Sequence, residues 1–414
     1  MASMAEQLAA NVNFSAFSKA TELKKRLWFA LGCLIVYRFG TYIPLPGIDP
    51  VVMSQIFEQN AGGIMGMFNM FAGGALERMS IFALGILPYI SASIIMQLMK
   101  AVSPTIEQLN KEGQSGRQTI NQYTRYLTVF LATFQGYGLA VGLEAMSGPG
   151  GSAVIDPGWY FRVITVITIV GGTLFLMWLG EQITARGIGN GISLIIFTGI
   201  IAQLPSALAS TLELGRTGAI SSFLIVFLLL MSVAVIAFIV FMERAQRRIL
   251  VQYPKRQQGN RMFGGESSHL PLKINVSGVI PPIFASSLLL MPATLASFGG
   301  AGGPEWLAQV TALLGRGQPL FLLMFIGLII FFAFFYTSIV FNPQDTAENL
   351  RKHGGFIPGI RPGQRTAEYF DYVLTRLTTV GALYLSAVCI LPEILISNYA
   401  VPFYFGGTSL LIVV

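Results

Sequence analysis

Nine long apolar runs recur along this chain, separated by short stretches rich in glycine, proline and charge. They fall near residues 27–43, 77–99, 121–143, 160–180, 188–209, 219–242, 276–297, 319–341 and 376–396. A helix that crosses the roughly 30 Å hydrocarbon core of a bilayer needs about 20 apolar residues, so each run predicts a spanning helix. A tenth run opens at Pro402 and stops at Val414. That is about half the length needed to span, and the rest of the helix is expected outside this sequence.

The basic residues between the runs alternate in number. Lys19, Lys24, Lys25 and Arg26 precede the first run, and Lys100, Lys111, Arg117 and Arg125 follow the second. Arg244, Arg247, Arg248, Lys255, Arg256, Arg261 and Lys273 follow the sixth, and Arg351, Lys352, Arg361, Arg365 and Arg376 the eighth. With Arg186, 21 of the 26 Lys and Arg residues lie on one side, against Arg78, Arg162, Arg216 and Arg316 on the other and Arg38 within the first run. Positive loops stay in the cytoplasm, which predicts a cytoplasmic N-terminus. The asymmetry also supports ten spans, because one missed helix would invert every later loop.

The fold expected is an all-α polytopic membrane protein of about ten transmembrane helices. Ten spans divide into two five-helix halves of opposite orientation, the arrangement of inverted repeats in transport proteins. The expected organisation is a cytoplasmic segment 1–26, a first half 27–210 and a second half 211–414 with long cytoplasmic loops at 243–274 and 342–375. Residues 1–25 lack the order of charge, short apolar core and small residues of a cleavable signal, so insertion is expected to rely on the spans.

Composition agrees with lipid as the main solvent: 53% of residues are hydrophobic and 11% charged, too few polar groups to coat a soluble globule of 414 residues. The net charge of +7 sits in the loop blocks just described and reads first as a topology signal. Cys33 and Cys389 lie inside apolar runs and form neither a disulfide framework nor a metal cluster pattern. All four aspartates and both histidines fall in loops or at span edges. Ion-coupled transporters keep an ionisable relay within their spans, and intramembrane proteases need buried catalytic groups, so this distribution argues against both. No GxxxxGK[ST] phosphate cradle occurs, and any ATP or GTP must be spent by a partner.

Several local patterns carry candidate function. Residues 61–74 hold five glycines around a run too short to span, and predict a short mobile helix. Such a segment either re-enters the membrane and lines a cavity, or is an ordinary surface loop. Ile86 with Ile90, and Ile192 with Ile196, stand four apart and share a helix face; they suit either a dewetting ring or ordinary apolar packing. Pro88, Pro281, Pro282 and Pro292 predict bends in the second and seventh spans. Gln97, Thr128 and Asn275 are polar positions that can bond across a helix seam or sit in routine packing. The long basic loops suit docking of an acidic or nucleic-acid partner as well as topology retention.

The order of motifs is specific. Pro44-Leu-Pro-Gly47, the glycine-bracketed segment, Ile81-Phe-Ala-Leu-Gly-Ile-Leu-Pro-Tyr-Ile-Ser-Ala-Ser93, Gly187-Ile-Gly-Asn-Gly-Ile-Ser193, His269-Leu-Pro-Leu-Lys273, Asn342-Pro343 and Gly359-Ile-Arg-Pro-Gly363 run through almost the whole chain. In this order they resemble the SecY family, the pore subunits of protein translocases. The resemblance implies two five-helix halves around a central pore, closed by a ring of Ile86, Ile90, Ile192, Ile196, Ile283 and Ile412. It makes segment 62–74 a plug, with Gly63, Met65, Met67, Phe68, Met70 and Phe71 its filling residues. It implies a lateral gate of spans two, three, seven and eight, marked by Gln97, Thr128, Asn275 and Ser287, where signal peptides of nascent chains intercalate from the lipid side.

Arg247, Arg248, Lys255, Arg256 and Arg361 would then dock the translating ribosome, including its RNA, or the motor ATPase SecA. Membrane subunits similar to SecE and SecG would complete the assembly, with no cofactor and no metal. Met291 stands where a phenylalanine is familiar in the family, an exchange of a soft for an aromatic side chain. A small-solute transporter would instead show a polar midplane site, and an ion channel a carbonyl or charged filter.

Overall fold

The computed structural model describes residues 21–60, 69, 72–145, 147–148, 151–217, 221–253, 256–258, 261–263, 267–298 and 318–399. All nine apolar runs form helices over most or all of their described length. In chain order the helices are α1 (Thr21–Gly40), α2 (Pro50–Asn60), α3 (Leu87–Val102), α4 (Pro104–Lys111), α5 (Gln114–Ala145), α6 (Trp159–Arg186), α7 (Gly191–Arg216), α8 (Ser222–Arg244), α9 (Ile280–Phe298), α10 (Pro319–Val340), α11 (Pro343–Lys352) and α12 (Gln364–Tyr399). Five of the described helices, α5, α6, α8, α10 and α12, are long and apolar enough to cross a bilayer by length and composition. Three short antiparallel pairs complete the fold: β1 (Ser147–Gly148) with β2 (Gly151–Ser152), β3 (Gln246–Gln252) with β6 (Ser267–Lys273), and β4 (Arg256–Gln258) with β5 (Arg261–Phe263).

The chain divides into two compact units, Met1–Ser93 with Gln118–Gln203 and Ser297–Ala301, and Ile94–Arg117 with Leu204–Ala296 and Gly302–Val414. In the first, residues 72–86 are irregular, where the apolar pattern predicted a span from 77. Helix α3 starts only at Leu87. Its predecessors are held by pairing instead: Pro44 bridges Ser80, the Leu45 N–H donates to the Met79 carbonyl at 2.8 Å, and the Ile81 N–H to the Ile43 carbonyl at 3.0 Å. On the other side Ile48 bridges Val154, so the Pro44–Gly47 motif is an extended strip sewn to two loops. Gly47 turns this strip with φ +84°, a conformation that costs other residues strain. Around the strip lie Leu45, Met53, Phe57, Met79, Leu84, Leu143, Phe161 and Ile169, a buried cluster built from α2, α5, α6 and the loops.

Two ion pairs join α5 to α6. Arg125 meets Glu181 bidentately at 2.9 and 2.8 Å, and Glu144 takes both the Arg162 guanidinium and the Gly158 N–H. Motif 187–193 makes the sharp return from α6 to α7. Gly189 holds φ +68°, Asn190 accepts the Ile192 N–H at 3.1 Å, and Thr184 accepts the Gly191 N–H at 2.8 Å. Gly191 lies directly against the Gly180 carbonyl, where a Cβ has no room.

The expected proline bends resolve differently. Pro88, Pro281 and Pro282 sit in the first turns of α3 and α9, where the missing N–H has no helical partner to lose. They start helices rather than bend them. Helix α9 continues through Pro292, and Pro205 lies inside α7 as well.

In the second unit the two long basic loops are folded. Strands β3 and β6 pair from Gln246 with Lys273 to Gln252 with Ser267. Gln252 also exchanges two 2.9 Å backbone hydrogen bonds with Phe356 in the loop after α11. Ile249, Leu272, Ala347, Ile357, Phe370 and Leu374 close a small buried core beneath them. Asn342 caps α11 by accepting the Gln344 N–H at 3.0 Å, with Pro343 at the first helical position.

The α6–α7 return predicts that Gly191→Val costs about 2 kcal/mol or more through overpacking, whereas Gly189→Asn, a residue that tolerates positive φ, costs less. Thermal unfolding of the two purified variants in detergent checks the order.

Candidate functional site

The sequence-selected isoleucines occupy equivalent places in their helices. Ile86 accepts the first helical bond of α3 from the Ile90 N–H at 3.1 Å, Ile192 and Ile196 lie in the opening turns of α7, and Ile283 lies in the first turn of α9. Ile86, Ile90 and Ile196 are buried, while Ile192 and Ile283 are half-buried. Ile192 rests over Gly180 of α6, 3.0 Å from where a Cβ would stand. Ile412 lies outside the described residues.

Gly63, Met65, Met67, Phe68, Met70 and Phe71 also lie outside the described residues. The C-terminal root of their segment is described, at Asn69 and Ala72–Gly74, and every one of these residues is buried. Asn69 bonds through its side chain to the Glu77 N–H at 3.0 Å and to the Glu77 carboxylate at 3.2 Å. Its carbonyl accepts from the Gly74 N–H at 2.9 Å and from Gln203 Nε2 at 3.2 Å. From α1, the Tyr37 hydroxyl donates to the Ala72 carbonyl at 3.4 Å and Arg38 Nη1 to the Gly73 carbonyl at 2.8 Å. Arg38 and Arg78 both stack on the Tyr42 ring, 4.9 and 4.1 Å from its centroid. The Tyr37, Phe82 and Phe175 rings stack in turn, at centroid spacings of 6.2 and 6.0 Å.

Of the polar positions, Thr128 bonds within its own helix and Asn275 bonds to a neighbouring one. Thr128 is fully buried, and its hydroxyl donates to the Thr124 carbonyl in its own helix at 2.7 Å. Asn275 is 5% exposed and ties the start of α9 to the end of α8: Nδ2 donates to Glu243 at 2.7 Å and to the Gly278 carbonyl at 3.1 Å, while Oδ1 accepts the Ser277 hydroxyl at 3.0 Å. Gln97 and Ser287 are half-buried on α3 and α9.

On the folded loops, Arg247, Arg248 and Arg361 are exposed. Alternation along β3 puts Arg248 on the face opposite buried Ile249 and Val251, paired with Pro271 and beside His269 and Lys273 of β6. Arg256 belongs to β4, and Lys255 lies outside the described residues. Sequence reasoning missed Tyr37, Gln203 and Glu243. Their signal was faint: one polar or ionisable group within or at the edge of an apolar run.

The SecY family profile matches residues 80–414. The chain is 58% identical over 394 residues to the protein translocase subunit SecY of Escherichia coli K12, covering 95% of this chain and 89% of that protein. It is 56% identical over 402 residues to the same subunit of Rickettsia conorii, covering 97% and 92%. Among solved structures, one described as a protein conducting channel superposes with a TM-score of 0.62 at 17% identity over 94% of this chain and 89% of that one. Sec61 in a canine ribosome-channel complex gives 0.60 at 17% identity over the same shares. The fold and these relatives define a protein-conducting channel of a membrane. The chain belongs to the SecY family of protein translocase subunits.

The Asn275 network predicts that Glu243→Ala leaves the amide short of one acceptor and loosens the start of α9 by about 1–2 kcal/mol. Glu243→Gln keeps an acceptor and most of the stability. Hydrogen exchange at residues 274–284 separates the two variants.

Proposed function

We propose that this channel opens for a secretory polypeptide when a signal helix inserts at a lateral gate marked by Gln97, Thr128, Asn275 and Ser287. The ring of Ile86, Ile90, Ile192, Ile196, Ile283 and Ile412 then widens, and segment 62–74 leaves the pore as a plug. Helices destined for the membrane leave sideways into lipid by the same gate. The observation that supports the reading is the root at Asn69 and Ala72–Gly74, buried in the same unit as the four isoleucines at the starts of α3 and α7. A hydrophobic signal favours the open state because it exchanges water for lipid, at roughly 25 cal/mol per Å² of apolar area. A ring of branched apolar side chains closes around any passing chain and excludes ions by dewetting.

The work is physical rather than chemical, and energy enters through partners. The two halves are residues 27–210 and 211–414, joined by subunits similar to SecE and SecG in the cytoplasmic membrane of a bacterium. The basic loop excess supports a cytoplasmic N-terminus. It leaves β3–β6 and the 356–363 loop facing the cytoplasm, where exposed Arg247, Arg248 and Arg361 suit ribosomal RNA or the acidic surface of SecA.

Single cysteines at Ile86 and Ile192, in a chain whose free Cys33 and Cys389 have been replaced, test the path. A secreted precursor stalled midway should form disulfides with both, and only when its signal is intact. Reaction with small reagents alone, while crosslinks form elsewhere, would remove the ring from the path. For docking, the Arg248→Glu, Arg361→Glu pair should weaken ribosome binding at least tenfold at low salt. The salt slope of binding should fall by about one for each phosphate that is no longer neutralised.

A further inference from the structure

A groove within the second unit runs along α10, α11 and α12 and changes character with depth. Its outer part is a recess of about 970 Å³, with the small residues Ala347, Gly363 and Ala367 in its lining. Around them stand Glu348, Arg351, Glu368 and Asp371, all exposed. Its inner part, about 580 Å³, is lined by Phe331, Phe334, Phe335 and Phe341 together with Leu374 and Thr378. Ser338, Pro343 and Asp371 line both parts, so the two form one continuous groove of a size that takes a small molecule. On α12, Gln364, Ala367, Glu368, Asp371, Leu374 and Thr378 fall on one helical stripe, polar at its start and apolar further in. That stripe extends about 21 Å, the reach of a lipid headgroup and the first part of its acyl chain.

Two features say what fits there. Glu348 pairs with Lys352 at 3.2 Å, which leaves Glu368, Asp371 and Arg351 to face the recess. At the inner end Thr378 is 5% exposed and its hydroxyl has no hydrogen-bond partner, whereas the nearby Thr337, Ser338 and Thr375 hydroxyls each donate to a carbonyl of their own helix. A buried hydroxyl in that position wants an acceptor. We propose that the groove binds a phospholipid whose headgroup joins a primary ammonium to a phosphodiester, the chemistry of phosphatidylethanolamine. The ammonium has three N–H donors for the Glu368 and Asp371 carboxylates, the phosphate takes the Arg351 guanidinium, and an ester carbonyl accepts from Thr378. The acyl carbons lie against the phenylalanines of α10. A trimethylated ammonium offers no N–H to the carboxylates, and the recess has no aromatic ring in its lining to hold one. A headgroup of net negative charge is repelled by the same carboxylates.

The test uses the full channel complex in nanodiscs of mixed lipid, with a trace of phosphatidylethanolamine that carries a photoactivatable acyl chain. Label should attach within residues 331–341 and 374–378. Excess unlabelled phosphatidylethanolamine should suppress it about tenfold more effectively than phosphatidylcholine or phosphatidylglycerol, the factor expected for charge-assisted hydrogen bonds. Glu368→Gln combined with Asp371→Asn should cut labelling about tenfold and erase the preference over phosphatidylcholine. Thr378→Val, close in shape, should cut it about fivefold. Asp345→Asn removes an exposed carboxylate of α11 outside the groove and should leave labelling at its native level. Thermal unfolding in detergent shows which variants are folded, and the competition in the unchanged complex decides the matter alone if one is not. Equal competition by the three lipids overturns the proposal, as does an equal loss in Asp345→Asn. Absence of label from the groove also overturns it, the result expected if a helix of a partner subunit lies there.

Discussion

A peptide group with no hydrogen-bond partner costs several kcal/mol inside a bilayer, and this constraint governs the first unit. Over residues 72–86 the chain leaves the helix, and its freed N–H and C=O groups are paired partly by local turns and partly from outside the segment. Leu45 and Ile43 pair with Met79 and Ile81, and the same strip continues to Ala153 and Ile155 through Asp49 and Gly47. Tyr37, Arg38 and Gln203 supply further partners at the root of the glycine-rich segment. Those three polar groups sit in apolar helices for this reason: they solvate backbone where water is scarce.

Glycine does the complementary job of bringing backbones close. Gly40 and Gly172 leave room for Phe82 and the Ile81 carbonyl, Gly191 for the Gly180 carbonyl, and Gly199 for Gly73. Each approach is tight, so it holds a segment in register.

The second unit solves a different problem, ordering loops rich in like charge. Fixing the backbone of a free loop costs about 1–2 kcal/mol for each residue ordered. Here the β3–β6 pairing, the Gln252–Phe356 bridge and the core under Phe370 offset that cost. Asn275 and Glu243 extend that rigidity to the start of α9, so the platform and this helix are mechanically joined.

What the sequence by itself determined was the number and rough place of the spans, their expected orientation, and the motifs that carry the family. These are summed properties: a 20-residue apolar run or a 21-to-4 imbalance of basic residues survives an error at any one position. Tertiary structure alone decided where α3 begins, that Pro88, Pro281 and Pro282 start helices, that Thr128 bonds within its own helix while Asn275 bonds to Glu243, and that the basic loops fold. Each of those depends on which single donor, acceptor or glycine a distant segment places within about 3 Å, and a linear pattern holds no record of that distance.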